Sequence, residues 1–195
     1  GFLNQGNFVS LSPRYYWVRG IEARASQGVN VGATHHEIGI GYRYVDEASH
    51  ELRYRESTAS GLLPTVSSRN DRDTRGKTEA HAVYLDDRID WGLWTITPGV
   101  RYERIDQQQI NVLTGRPFKG DYSTALPALN VLYRLDEGWN LYANTEGSFG
   151  SVQYSQMPNR VRQGLVKPEK ARTWEFGTRY DQGVLRAEIG AFLIN

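Results

Sequence analysis

The sequence predicts an all-β protein, an antiparallel transmembrane β-barrel wall, and three observations carry that prediction. Segments of period-two hydrophobicity follow one another along the 195 residues. The connections between them alternate between tight turns and long, polar, arginine-rich stretches. The clear strands carry charge on one face and an apolar band ending in aromatics on the other. The tight turns are Asp90-Trp91-Gly92, Asp136-Glu137-Gly138, Asp181-Gln182-Gly183 and, less tightly, Ser26 to Gly32, while the long stretches lie around Arg53 to Lys77, Asp106 to Tyr122 and Gln156 to Lys170. Short turns at one end, long loops at the other and strands of about ten residues are the layout of a bacterial outer-membrane barrel.

The strand beginning at Trp94 is the clearest. Trp94, Ile96, Pro98, Val100 and Tyr102 point one way, and Thr95, Thr97, Gly99, Arg101 and Glu103 the other, as the side-chain period of a strand requires. Trp139, Leu141, Ala143 and Thr145 oppose Asn140, Tyr142, Asn144 and Glu146 in the same way. Trp174, Phe176, Thr178 and Tyr180 oppose Thr173, Glu175, Gly177 and Arg179, and Leu185, Ala187, Ile189, Ala191 and Leu193 oppose Arg186, Glu188 and Gly190. Weaker strands are read at Tyr15 to Ala25, His36 to about Tyr54, Glu79 to Ile89 and Leu126 to Leu135, for a total of about eight, in line with the even counts of such barrels. Pro98 would ordinarily demote a strand, but the alternation continues on both sides of it. Trp91, Trp94 and Trp139 stand beside the tight turns, where an interfacial aromatic belt belongs, and Tyr42, Tyr44, Tyr102 and Phe149 are placed to form the opposite girdle.

Composition agrees with that architecture. Only 39% of residues are hydrophobic, which suffices for a wall that needs apolar side chains at every second position. No apolar run of about 18 residues exists, which excludes a transmembrane helix within the sequence. With no cysteine, disulfides, thiolate metal sites and cysteine nucleophiles are excluded. The net charge of +1 gives no general attraction to polyanions, so no nucleic-acid partner is expected. A soluble β-sandwich also alternates, but it does not explain the one-sided loop lengths, the long strands or the tryptophans clustered at turns. Gly1 begins in loop-like sequence and the last strand stops at Asn195, so residues 1–195 are expected to be a contiguous slice of a larger barrel.

Several segments resemble the ferric citrate receptors of the TonB-dependent outer-membrane transporter family. They are Gly41-Tyr42-Arg43-Tyr44, Asp71-Arg72-Asp73-Thr74-Arg75 with Thr78 to Ala82 and Tyr84 to Asp87, Trp94 to Gly99, Leu126 to Tyr133, Asn140 to Gly150, and Pro168 to Glu175. The likeness covers Gly41 to Asn195 and runs through loops as well as strands. Pro168-Glu169 followed by Trp174-Glu175 and Gly177 is common to TonB-dependent receptors widely, and Asp71 to Asp87 is the narrower signal. The resemblance implies a barrel of roughly 22 strands closed by an N-terminal plug, with the plug and its TonB partner segment outside this chain. It implies ferric citrate or a related ferric chelate as the transported ligand, no cofactor, no enzymatic activity, and outer-membrane lipid and lipopolysaccharide as surroundings. It also places Arg72 on a ligand-contacting arginine of the family, and Arg14, at the outer end of the first strand, on another. The departures lie in the loops at Tyr54 to Asn70, Asn111 to Tyr122 and Met157 to Lys167, so a receptor for another ferric siderophore is the main alternative and a passive porin a more distant one.

The loop chemistry suits an anionic chelate, because guanidinium holds carboxylates through charge-assisted, forked hydrogen bonds. Arg69, Arg72 and Arg75 recur every third residue beside Asp71 and Asp73, and Arg160, Arg162, Lys167, Lys170 and Arg172 outnumber Glu169. Arg69, Arg75, Arg160 and Arg162 read as solvated surface charges or loop ion pairs, and Arg72 as functional. Inward Arg43, Arg101 and Arg179 with Glu37, Glu103 and Glu175 read as a lumen charge lattice. His35, His36, His50 and His81 lack a recognised metal-ligand spacing, and no Gly-x-Ser-x-Gly elbow points to a hydrolase.

Overall fold

The structure, a computed structural model, describes residues 8–57, 69–154 and 168–195. Its strands in chain order are β1 (Phe8–Leu11), β2 (Arg14–Val31), β3 (Thr34–Ser57), β4 (Arg69–Trp91), β5 (Trp94–Asn111), β6 (Arg116–Asp136), β7 (Trp139–Gly150), β8 (Glu169–Gln182) and β9 (Leu185–Ile194). All join one antiparallel sheet in which sequence neighbours are spatial neighbours. β1 and β2 lie end to end against β3, so together they fill one sheet position and the expected eight are present. The break between them falls at Ser12-Pro13, since proline has no N–H for the ladder; its carbonyl still accepts from Leu52 N at 3.0 Å. Pro98 has a milder effect. The β4–β5 pairing lapses between Asp86↔Gly99 and Ile89↔Ile96, while β5 itself continues and Pro98 stays in register with Leu129.

The register fixes the two faces. Trp94, Pro98, Val100 and Tyr102 are exposed on the outer one, and Thr95, Gly99, Arg101 and Glu103 are more covered on the inner one. Eight residues separate Trp94 from Tyr102, about 27 Å at the rise of a strand, which matches the apolar band of about 25 Å in such barrels. Ile38, Ile40, Val83, Leu85, Leu129, Leu141, Phe176 and Ile189 continue the exposed apolar surface across the sheet. Trp94 stacks on Tyr133 with ring centroids 4.5 Å apart, and Trp139 meets Tyr180 edge to face at 5.6 Å. Both pairs stand beside the tight turns, as an aromatic belt requires. At the far margin Tyr42 and Tyr44 both pack against His81. Phe149 is not part of that girdle. The β6–β7 pairing ends at Ala128↔Glu146, and Phe149 beyond it packs on the cluster of Ile105, Tyr122 and Val152.

The tight turns all lie at one edge, closed by Val31↔Thr34, Trp91↔Trp94, Asp136↔Trp139 and Gln182↔Leu185. Gly32, Gly92 and Gly183 take φ of 59°, 57° and 58° there, a left-handed conformation that side chains disfavour. The first of these turns is tighter than the sequence suggested: β2 runs through Ser26-Gln27-Gly28 to Val31. Gly28 is a strand residue there, paired with Glu37. The strands also reach further outward than expected. Asp106 to Tyr122 is not a loop, since β5 and β6 pair out to Asn111↔Arg116 around Val112 to Gly115. Above the bilayer neither face meets lipid, so alternation fades from the sequence while backbone pairing continues.

Inside the wall, tyrosines fill the space left by glycines on the adjacent strand. The Tyr84 ring lies 2.0 Å from where a Cβ of Gly41 would stand, and its hydroxyl donates to Glu22 at 3.3 Å. The sheet is open, with the fully exposed strands β2 and β9 at its edges among the described residues. It is a slice of barrel wall, curved by its twist, with a polar inner face.

Candidate functional site

The arginines singled out in the sequence meet on the inner face at the end opposite the tight turns. In β2 the even-numbered residues face inward, in β3 the odd-numbered and in β4 the even-numbered, as the registers Arg14↔Glu51 and Glu51↔Thr74 dictate. Arg14 therefore stands directly opposite Glu51, and Arg72 is its diagonal neighbour from the other side, within reach for a long side chain. Arg14 Nε lies 3.9 Å from Glu51 Oε1, and Arg72 Nη1 lies 3.8 Å from Glu51 Oε2. The Tyr16 hydroxyl donates to Glu51 Oε1 at 2.9 Å. That hydrogen bond to a carboxylate holds the Tyr16 pKa above its ordinary value.

These residues line an open cavity of about 370 Å³ together with Glu47, Gln107 and residues Ser151 to Tyr154. The last four follow β7 and fold back over the inner face. Val152 is 2% exposed against Ile105 and Tyr122, which anchors the segment by apolar burial. Tyr154 lies over Gly76, where a Cβ would come within 2.7 Å of its ring, and its hydroxyl bonds Thr78. Burial pushes the Tyr154 pKa up.

Local pairing explains why Arg72, rather than its neighbours, serves the cavity. A bulge between Arg53 and Tyr54 gives β4 one extra residue, Asp71. Asp71 is taken by Arg53 at 2.6 Å and Arg55 at 2.9 Å, and Asp73 by His50 at 2.9 Å. The two acids beside Arg72 in sequence are thus engaged elsewhere. Arg75 belongs to the opposite parity and the outer face. The Arg69 side chain and Arg160, Arg162 and Lys167 lie outside the described residues. Arg172 is outward too, donating to Thr145 at 3.1 Å and lying 5.2 Å from the Trp174 ring.

The lower lumen carries a separate charge lattice. Arg101 pairs with Glu103 at 2.5 Å and Arg24 with Glu22 at 2.6 Å. Arg179 pairs with Glu188 at 3.0 Å, while Glu175 accepts from Tyr142 and Asn144. The histidines are dispersed among separate partners: His35 on Asn30, His36 on Asp87, His50 on Asp73 and His81 on Tyr42. Among the described residues no three or more His, Cys, Asp or Glu are grouped to hold a metal.

Sequence reasoning named Arg14 and Arg72 and did not name Glu51, Tyr16, Gln107 or Tyr154, which line the same cavity. Their only advance signal is strand parity, which becomes useful once the register is known. Chemically, the cavity offers two guanidinium forks about a common carboxylate, with neutral amide and hydroxyl groups around them. Such a constellation binds carboxylates by charge-assisted, directional hydrogen bonds.

A family model described as TonB dependent receptor-like, beta-barrel, matches residues 1–195. The crystal structure of the ferric citrate transporter FecA in its unliganded form is 62% identical with a TM-score of 0.93, covering 99% of this chain and 29% of that one. The siderophore receptor PiuA from Acinetobacter baumannii shares the fold at 15% identity and a TM-score of 0.70, covering 95% of this chain and 32% of that one. The ferrioxamine B receptor of Salmonella typhimurium is 25% identical over 160 residues, 78% of this chain and 22% of that protein. The chain thus spans less than a third of the length of these relatives.

Proposed function

This chain belongs to the TonB-dependent receptor β-barrel family, and from that premise we propose that it forms part of the wall and outer rim of a transporter that captures ferric citrate. Arg14 and Arg72 hold the citrate carboxylates, with the iron as cargo inside the chelate rather than a ligand of the protein. A plug outside this chain, coupled to TonB, would then release the chelate inward. The observation that carries this reading is the convergence of two arginines 58 positions apart in sequence on one inner-face cavity. It occurs in a chain 62% identical to a ferric citrate transporter. Permanently charged, planar donors at both sides of a cavity favour a ligand with several carboxylates.

Titration of the intact receptor with ferric citrate tests the proposal, with a hydroxamate iron chelate as competitor. Saturable ferric citrate binding that resists the hydroxamate supports it. Preferential binding of the hydroxamate would assign the rim to another siderophore.

A further inference from the structure

The arginine cavity contains as many acids as arginines: Glu47 and Glu51 line it beside Arg14 and Arg72. A site for an anion would gain affinity by losing such acids, so their presence needs a reason. Glu51 is held in place, its Oε1 taking the Tyr16 hydroxyl at 2.9 Å and its side chain only 19% exposed. Its oxygens face the two guanidiniums at 3.9 and 3.8 Å, longer than the roughly 2.7–2.9 Å of a charge-assisted hydrogen bond. Glu51 therefore neutralises charge without occupying the donors. Each guanidinium has five N–H groups in a fixed fork, and the side chains are 56% and 40% exposed.

We propose that Glu51 is a specificity-determining residue, a fixed counter-charge that weakens the hold of the arginine pair on any single carboxylate. An anion that reaches one guanidinium gains one forked contact and meets the repulsion of Glu51. A carboxylate of a ferric chelate makes the same contact against a weaker repulsion, because the enclosed ferric ion offsets part of its charge. Glu51 thus favours the iron-loaded chelate over iron-free organic acids. The inference rests on the carboxylate-binding reading of the cavity given above.

The alternative role for Glu51, a clamp that merely orients the arginines, predicts the opposite effect of removing its charge. Glu51→Gln keeps an acceptor for Tyr16 and removes only the charge, and Glu51→Asp keeps the charge. In the intact receptor, Glu51→Gln should tighten binding of both iron-free citrate and ferric citrate by roughly three- to tenfold, the size of one half-exposed charge interaction. The gain should be larger for iron-free citrate and should shrink with added salt. Glu51→Asp should stay near the parent.

Weaker or unchanged binding of iron-free citrate in Glu51→Gln would overturn the counter-charge. A parent receptor that binds no ferric citrate would instead tell against the transporter reading. The comparison of variants by iron-free citrate would still decide the role of Glu51.

Discussion

Replacing Arg72 by alanine in the intact receptor removes one guanidinium fork from the cavity, and the structure bounds both consequences. The pairing with Glu51 is 3.8 Å long and the Arg72 side chain is 40% exposed, so its contribution to folding is that of a screened ion pair, at most about 1 kcal/mol. A hydrogen bond to a charged ligand group contributes more, about 1.5–3 kcal/mol when water is excluded. Half-exposure brings the expectation to the lower end of that range and somewhat below it, about 1–2 kcal/mol, or roughly five- to thirtyfold in affinity. Titration calorimetry with ferric citrate measures this, and heat modifiability on electrophoresis reports assembly. Arg72→Lys should recover only part of the loss, because a lysine keeps the charge without the planar fork. Arg14→Ala should resemble Arg72→Ala, and the double variant should lose further affinity. Unchanged binding in a properly assembled double variant would refute the arginine reading and move the ligand to other loops.

Further outcomes follow from the fold. With no native cysteine, Thr114→Cys in the β5–β6 turn should react with an impermeant maleimide on intact cells, whereas Leu93→Cys in the β4–β5 turn should not; the reverse pattern would invert the assigned orientation. Gly41→Ala places a methyl group within 2.0 Å of the Tyr84 ring and should lower the unfolding temperature by the equivalent of about 1–3 kcal/mol of overpacking, and an unchanged temperature would mean that the ring is not held there. The Tyr16 hydroxyl has its pKa raised above the ordinary 10.0 by Glu51. The protonated form is therefore favoured in the folded state, and its stabilisation is complete below pH 10.0 and lost as pH rises through the higher folded value. Unfolding midpoints of the parent and Tyr16→Phe should converge at high pH, and parallel curves would contradict this. Expressed alone, residues 1–195 should associate rather than form a monodisperse pore, because β2 and β9 present unpaired edges; a closed monomeric channel in detergent would contradict it.

The lipid-spanning half of the wall was legible because the bilayer enforces a chemical contrast between its faces. Wherever one face meets lipid and the other water, as from Trp94 to Tyr102, strand and direction follow directly from the residues. Beyond Tyr102 that contrast ends, and Asp106-Gln107-Gln108-Gln109 reads as loop although it pairs as strand. The information for the extension lies in backbone pairing with Gly76 to Glu79 and with Phe118 to Asp121. No single segment displays it. Ser26-Gln27-Gly28 misleads for a related reason, since small polar residues serve a crowded lumen as well as they serve a turn.

The site shows the same division more sharply. Arg72 was singled out because its neighbourhood resembles a known family, yet nothing local to Asp71-Arg72-Asp73 indicates that the two flanking acids turn elsewhere. That depends on one bulged residue, which hands Asp71 to Arg53 and Arg55, while the register Arg53↔Arg72 keeps Arg72 on the inner face whatever precedes it. Deleting Asn70, the residue before the bulged Asp71, would set Asp71 opposite Tyr54 and leave Arg72 in place. The deletion should therefore break the Asp71 pairs and cost less ligand affinity than Arg72→Ala. An assembled deletion variant that loses affinity as heavily as Arg72→Ala would show that the bulge, not the register, places the arginine.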